Sequence, residues 1–216
     1  MSKTAQLVVV SDLHCGSKLG LMPPEVELDD GNTIGQNALQ KESWDYWIKD
    51  FWPYVHKRAK NRETIVVANG DLIDSHHHGT YQVWSNDPLE HIAVASQILA
   101  TITAKYKTYV TRGTHAHVMA SGSADEQIAC EIGAEKVAGD RKVRSSYHLK
   151  LEFAGVLFDI AHQGPSTGSR VWTFGNTLRS YARTIVLDAM VRRERPPDCV
   201  VRSNFHRKCL ETINDY

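Results

Sequence analysis

Short apolar segments run directly into metal-binding residue types at five places along this chain. These places are residues 10–14, 69–74, 112–115, 160–164 and 202–206. The apolar runs before them have the short, β-branched character of buried strands. In open α/β sheets the carboxyl ends of the strands form one ligand crevice, so side chains that follow different strands meet there. The pattern therefore predicts that residues far apart in sequence converge on one site.

The spacing of apolar residues between these places predicts strands that alternate with helices, followed by a hairpin. The predicted strands are residues 6–10, 64–68, 107–111 and 199–202, with the hairpin at 147–161 and the start of another strand at 210–213. The predicted helices are residues 44–55, 87–102, 123–132 and 178–193. Residues 16–40 are predicted to be a loop, and Pro53 is expected to kink the first helix. This order predicts an α/β sandwich with mixed sheets, in a single domain over residues 1–216.

Composition excludes several classes of protein. The chain has 25 basic and 25 acidic residues, so no global field draws it to nucleic acid or to an anionic membrane. The apolar run at residues 7–10 is too short for a signal peptide core or a membrane span, and we expect a cytoplasmic protein with no membrane partner. Four cysteines form no Cys-x-x-Cys pair, which disfavours a zinc ribbon and a disulfide framework. The eleven histidines favour a metal site instead.

The residue types at the strand ends suit divalent transition metals. Because side chains alternate along an extended chain, Asp12 and His14 are expected on one side of it, as are Asn204 and His206. Mixed carboxylate and imidazole ligands suit zinc, manganese or iron. Two ions about 3.5–4 Å apart need a bridging anion, which Asp71 can supply.

The order of these motifs resembles that of the calcineurin-like metallophosphoesterase superfamily, over residues 6 to 206. Asp12-Leu13-His14 and Gly70-Asp71-Leu72-Ile73-Asp74 match its first two motifs in full. The resemblance implies a four-layer sandwich of two mixed β-sheets flanked by helices. It also implies two divalent metal ions, with Mn2+ favoured over Fe, Zn or Ni. One ion would be held by Asp12, His14 and His206, and the other by His162 and Asn204, with Asp71 shared between them.

Two departures from that pattern fall on the second metal ion. Thr114 stands where the family has an asparagine ligand, and Asn204 stands where it has a histidine. Threonine and asparagine oxygens bind such ions less tightly than imidazole does, so the second site is expected to be weak. His115 aligns with the histidine that protonates the leaving group, whereas His117 takes that place in the small phage-type members that this stretch also resembles.

Other residues are candidates for secondary roles. Asp74 is expected to orient a metal-binding histidine, such as His14. Arg112 and Arg170 are candidates to bind the phosphate, with a surface ion pair as the alternative for Arg170. Within the histidine tract 76–78, His77 and His78 are expected to reach substrate. The aromatic helix at residues 44–52 is mostly core, although exposed tryptophans there could stack on bases.

The function that the resemblance implies is hydrolysis of a phosphate ester by a hydroxide that two cations bridge. We favour a phosphodiesterase acting on nucleic acid or nucleotides, because the superfamily includes DNA-repair nucleases. Two alternatives stay open from the sequence. One is a phosphomonoesterase that acts on a small molecule or a protein. The other is a catalytically weak relative that uses the scaffold for binding, and the oligomeric state is open as well.

Overall fold

A computed structural model describes residues 4–75, 82–119, 123–137, 142–168 and 170–213 of the chain. The strands are β1 (Ala5–Val10), β2 (Glu25–Glu27), β3 (Thr33–Gly35), β4 (Glu63–Asn69), β5 (Lys107–Thr111), β6 (Ser145–Ser146), β7 (Leu149–Phe153), β8 (Val156–Ile160) and β9 (Cys199–Val201). The helices are α1 (Ala38–Tyr46), α2 (Trp52–Ala59), α3 (Pro88–Thr103), α4 (Ser123–Glu131) and α5 (Asn176–Val191). A π-helical turn, Trp47–Phe51, joins α1 to α2, and a 3-10 turn, Val171–Thr173, precedes α5.

A parallel sheet in the order β1-β4-β5-β6 forms the centre of the fold. Strand β4 is almost wholly buried, as its continuous apolar sequence predicts for a central parallel strand. Its residues alternate between two cores. Val66 and Ala68 pack with the buried faces of α3 and α4, whereas Ile65 and Val67 face the opposite side.

The second sheet contains β7, β8 and β9 and covers that opposite side. Strands β7 and β8 form the predicted hairpin, and β9 pairs with β8 in parallel, so this sheet is mixed. Leu149, Leu151, Phe153 and Ile160 pack against the parallel sheet. The expectation of two mixed sheets is therefore met only here, because every described pairing of the first sheet is parallel. These contacts establish three successive layers, namely the helices, the parallel sheet and the mixed sheet. Of the residues of helix α5, only Ala189 is buried.

Two segments differ from the sequence prediction. Residues 16–40 are not all loop, because β2 and β3 pair in an antiparallel hairpin. Helix α1 also begins at residue 38, where Asn37 and Gln40 form a reciprocal capping box that the apolar pattern did not reveal. Residues 210–213, which were expected to start a strand, have no strand pairing.

The predicted kink at Pro53 takes the form of a π-helical turn. The amide of Trp52 bonds to the carbonyl of Trp47, five residues back. Proline has no amide hydrogen and its ring crowds the carbonyl four residues before it, so the α-helical pattern is interrupted here. The wider turn carries the chain from α1 into α2 without ending the helix.

Among the described residues, none of the helices combines the length and the apolar character that a membrane-crossing segment requires.

Candidate metal centre

Side chains from five strand ends meet beyond the carboxyl edge of the parallel sheet. Three groups of His and Asp residues have potential ligand atoms within 4.8 Å of one another. These groups are Asp12, His14 and His206; Asp12, Asp71 and His162; and His14, Asp74 and His117. The groups overlap, since Asp12 and His14 each belong to two of them. The convergence is what the strand-end pattern predicts, and the overlapping groups can hold one or two metal ions.

The backbone at these positions is left-handed rather than extended. Of the ten described non-glycine residues with positive φ, five are candidate ligands: Asp12 (57°), His14 (45°), Asp71 (49°), Asn204 (74°) and His206 (48°). A left-handed L-residue costs about 1 kcal/mol or more, so such residues collect where function requires them. Asp12 and His14 do not lie on one side because side chains alternate along an extended chain, so the predicted reason is wrong. They converge because each residue turns at a strand end.

The buried half of the centre is the pair Asp71 and His162. Nε2 of His162 lies 2.9 Å from Oδ2 of Asp71 and 3.8 Å from Oδ1 of Asp12. The other oxygen of Asp71 accepts from the amide of Thr114 at 2.6 Å and from its hydroxyl at 3.2 Å. Thr114, which occupies the family's asparagine position, thus holds a carboxylate in place.

The hydrogen bonds of His162 direct its Nε2 at the centre. Its Nδ1 lies 2.6 Å from the carbonyl of Asn69, which only accepts hydrogen bonds, so Nδ1 carries a hydrogen. Nε2 is then the ring atom that faces the carboxylates, 2.9 Å from Oδ2 of Asp71. While no cation is bound, a proton on Nε2 satisfies this contact, and a bound cation would take the place of that proton between the ring and the two carboxylates. The residues present therefore fit a metal ion.

The open half of the centre contains His206 and His14. Nε2 of His206 is 3.0 Å from Oδ1 of Asp12, and Nε2 of His14 is 3.8 Å from the same oxygen. The two Nε2 atoms are 3.4 Å apart. His206 follows β9 in a segment without regular secondary structure, and its side chain is 60% exposed. This half therefore faces solvent.

Asp74 links His14 to His117. Its Oδ1 is 3.1 Å from Nδ1 of His14, which is the contact that orientation of His14 by Asp74 requires. Nδ1 of His117 is 2.8 Å from the backbone carbonyl of Asp74, and Nε2 of His117 points to Asp71 at 4.0 Å. The rings of His14 and His117 meet edge to face.

The carboxylates strongly favour protonated histidines while no cation is bound. Burial lowers the pKa of His14, but its bonds to Asp12 and Asp74 outweigh this and raise it to about 9. Burial likewise lowers the pKa of His162, and Asp71 reverses the direction, so the pKa is raised. Burial raises the pKa of Asp12, yet His14, Ser11 and the neighbouring histidine charges bring it down to about 2. The carboxylates are therefore ionised and compete for positive charge, which a metal ion can supply.

Two glycines allow the backbone to approach the ligands closely. A Cβ at Gly113 would lie 2.0 Å from Oδ1 of Asp71 and 2.3 Å from its backbone nitrogen. Gly70 has φ +76°, and a Cβ there would lie 2.7 Å from the Cα of Gly113. No side chain fits at either position.

A buried carboxyl supports this turn from behind. Oδ2 of Asp125 accepts from the amide of Gly113 at 2.7 Å. Burial raises the pKa of Asp125 to about 7, an effect that the Gly113 amide opposes and the charge of Asp71 increases. Asp125 thus fixes the loop that carries Thr114.

The remaining candidates make other contacts in the structure. His115 is exposed and its ring lies 5.7 Å from that of Tyr147, and it is in none of the three ligand groups, one of which contains His117. The guanidinium of Arg112 bonds to Ser145 and pairs with Glu126. That of Arg170 lies 5.8 Å from the ring of Trp172.

Three further predicted residues remain, Asn204, His77 and His78. Asn204 reaches the centre through its backbone amide, 3.4 Å from Oδ2 of Asp12. His77 and His78 lie outside the described residues.

Three supporting residues escaped the sequence analysis: Ser11, Asn69 and Asp125. The hydroxyl of Ser11 donates to Oδ2 of Asp12 at 2.6 Å and also lies near Asn69 and His162. Asn69 is fully buried and donates to Ser203 at 2.8 Å. A polar residue directly before each of the first two motifs was a visible signal for Ser11 and Asn69. No such signal marked Asp125, because a carboxylate at its position near the start of a helix is also explained by ordinary capping.

Comparison of the chain with protein-family models, with curated proteins and with solved structures finds no match. The metal centre is therefore inferred from its own ligand groups, its backbone geometry and the buried pair of Asp71 and His162.

Proposed function

We propose that this protein is a metal-dependent phosphoesterase, and that its preferred substrates are phosphodiesters of the nucleotide or nucleic acid class. The observation that carries the proposal is the set of overlapping His and Asp groups at the strand ends, held by left-handed backbone. Overlapping ligand groups are what a pair of neighbouring divalent ions requires. The motif order that resembles calcineurin-like metallophosphoesterases, with their four-layer sandwich, supports the same assignment.

Under this proposal each half of the centre holds one ion. Asp12, His14 and His206 would hold the first, and Asp71 and His162 the second, with Asp12 as the carboxylate common to both groups. Mn2+ is the favoured ion, with Fe, Zn and Ni as alternatives that suit the same ligands. Bound ions would activate water and neutralise the charge of the phosphate.

His117 is the best candidate to move a proton to the departing oxygen. It lies in one ligand group with Asp74 and His14, and its Nδ1 faces the Asp74 carbonyl at 2.8 Å. That carbonyl requires a hydrogen on Nδ1 and leaves Nε2 directed toward the centre, so the proton given to the departing oxygen would come from Nε2 of the doubly protonated ring, which returns to its neutral form. We assign this role to His117 rather than to the exposed His115.

The contacts of Thr114 and Asn204 are the observation that favours the alternative of a binding scaffold. Thr114 bonds to Asp71 instead of offering an amide oxygen to a metal, and the contact of Asn204 is through its backbone. Such a protein would bind phosphate esters without turning them over.

The test is hydrolysis after full loading with Mn2+, using bis(p-nitrophenyl) phosphate as diester and p-nitrophenyl phosphate as monoester. We expect metal-dependent turnover with a higher kcat/KM for the diester, and a loss of at least about 100-fold in Asp71→Asn. Asp188→Asn is the matched control, since Asp188 is an exposed residue of α5 that pairs with Arg192. A higher kcat/KM for the monoester would make the protein a phosphomonoesterase. No turnover by the loaded protein would favour the scaffold.

A further inference from the structure

A cavity of about 600 Å³ opens directly onto the metal centre. Its floor includes Asp12, His14, Asp74, His117 and His206, so anything bound in it touches the open half of the centre. This volume is within the range of small-molecule sites.

The walls of this cavity are apolar and aromatic. Leu19, Tyr46 and Trp47 line it, and the side chains of Leu19 and Tyr46 are largely exposed. The ring of Trp47 is stacked on Phe51 at 5.5 Å and meets Trp52 edge to face at 5.4 Å. The walls therefore include the indole of Trp47, which is fixed by these ring contacts, and the exposed phenol ring of Tyr46.

The position of these rings depends on the π-helical turn. Tyr46 is the last residue of α1, and Trp47 is the first of the turn that precedes Pro53. Such turns are rare and frequently occur at functional sites. The interruption that proline imposes thus coincides with the aromatic wall of the cavity.

The cavity also offers neutral polar groups. Ser17, Ser43 and Gln82 line it, and none of its described lining residues is lysine or arginine. A purely hydrocarbon group would leave these polar groups facing apolar surface, whereas a chain of phosphates would find no guanidinium or ammonium. A flat aromatic group with hydrogen-bonding edges fits both features.

A smaller cavity of about 220 Å³ shares two lining residues, Asp12 and His206, with the larger cavity. Arg207 lines it and its guanidinium is 5.1 Å from the ring of Phe174. Arg202 also lines it but is paired with Asp159 at 2.5 Å. Because both cavities border the same two ligands, each can receive one substituent of a phosphodiester whose phosphate lies at those ligands.

We propose that the larger cavity binds the nucleobase of a phosphodiester substrate, with the base against Tyr46 and Trp47 and the phosphate at the metal centre. This inference rests on the proposed function and narrows it to substrates that place a base beside the scissile phosphate. The smaller cavity receives the second substituent.

The test is isothermal titration calorimetry on the Mn2+-loaded full chain with three ligands that share a phosphate. Adenosine 5′-monophosphate carries a base, ribose 5-phosphate lacks it, and hexyl phosphate replaces it with hydrocarbon. We expect the adenosine ligand to bind at least about tenfold more tightly than the other two. Tyr46→Ala should remove most of this difference, Tyr46→Phe should keep it, and Tyr54→Ala, at an exposed tyrosine of α2, should leave it unchanged.

Equal binding of adenosine and ribose ligands would overturn the base pocket, as would hexyl phosphate binding as tightly as the adenosine ligand. A preference that survives Tyr46→Ala would also overturn it. Hydrolysis of diesters without a base preference would agree with the proposed function and would refute the nucleobase pocket. A base preference that depends on Tyr46, without hydrolysis, would support the pocket and refute the proposed activity.

Discussion

The two halves of the metal centre differ in burial and in support. In the buried half, the side chain of His162 is 0% exposed and that of Asp71 2% exposed, and both are fixed by hydrogen bonds to Asn69 and Thr114. In the open half, the side chain of His206 is 60% exposed. Ligands already fixed in position lose little freedom when a cation binds, whereas an exposed ligand must be ordered.

Under the proposed function, this difference would give the two halves of the centre different roles. The buried half is preorganised and closed to solvent, while the open half borders both cavities. A substrate phosphate would therefore enter beside His206 and His14. Asp12 belongs to both halves and is the residue on which both depend.

The largest effect is expected from Asp12→Asn, because it removes a carboxylate that faces both halves. Metal affinity should fall at least about 100-fold, more than the 10- to 100-fold typical of residues that only orient ligands. Calorimetric titration with Mn2+ measures this, with Asp45→Asn as control, since Asp45 is a half-buried residue of α1 that pairs with Lys41 and Lys49. Wild-type affinity in Asp12→Asn would show that the two halves do not share this ligand.

Protonation of His14 should make the Mn2+ affinity depend on pH, and this effect should be similar in size to that of Asp12→Asn. Its pKa in the metal-free fold is about 9, above the ordinary value of 6.5. The bound proton therefore stabilises the metal-free protein fully below pH 6.5, and this stabilisation is lost as the pH rises to about 9. Since a metal ion must displace that proton, Mn2+ affinity should rise about tenfold per pH unit over this window.

The measurement is Mn2+ titration at several pH values between 6.5 and 9, together with thermal midpoints in chelator and in excess Mn2+. The gap between the two midpoints should widen as the pH rises. An affinity independent of pH would mean that His14 binds no proton in the metal-free protein.

A smaller effect is expected from His206→Ala. Because this ligand is exposed, water can take its place, and metal affinity should fall only about tenfold. His162→Ala in the buried half is the direct comparison and should cost clearly more. Equal losses in the two variants, measured by the same titration, would remove the distinction between the halves.

The smallest effect is expected from Thr114→Val, which keeps the shape and the backbone amide but removes the hydroxyl that donates to Asp71. One lost hydrogen bond costs about 1 kcal/mol, so affinity should fall about fivefold. A loss of 100-fold or more would identify the hydroxyl as a metal ligand in its own right. Circular dichroism should be unchanged.

Some features of the site could be predicted because they depend on local pattern. Apolar runs marked β1, β4 and β5, and the polar residues after them were expected to meet at one edge of the sheet. The meeting of Asp12, His14 and Asp71 follows from that rule, whereas His162 and His206 follow β8 and β9 of the second sheet. Which of His115 and His117 joins a ligand group did not follow, since the two lie two residues apart and differ only in what they contact.

The sequence by itself determined the parallel strands, the hairpin and the residue types at their ends, because apolar periodicity and motif order are properties of short segments. Only the tertiary structure decided three features. These are the left-handed backbone at the ligands, the hydrogen bonds that Thr114 donates to Asp71 and Gly113 donates to Asp125, and the cavity at the π-helical turn. Each of these depends on contacts between different segments of the chain, from 12 residues apart for Gly113 and Asp125 to 43 for Asp71 and Thr114. Strained backbone at Asp12 or His206 is retained only where such contacts compensate for its cost.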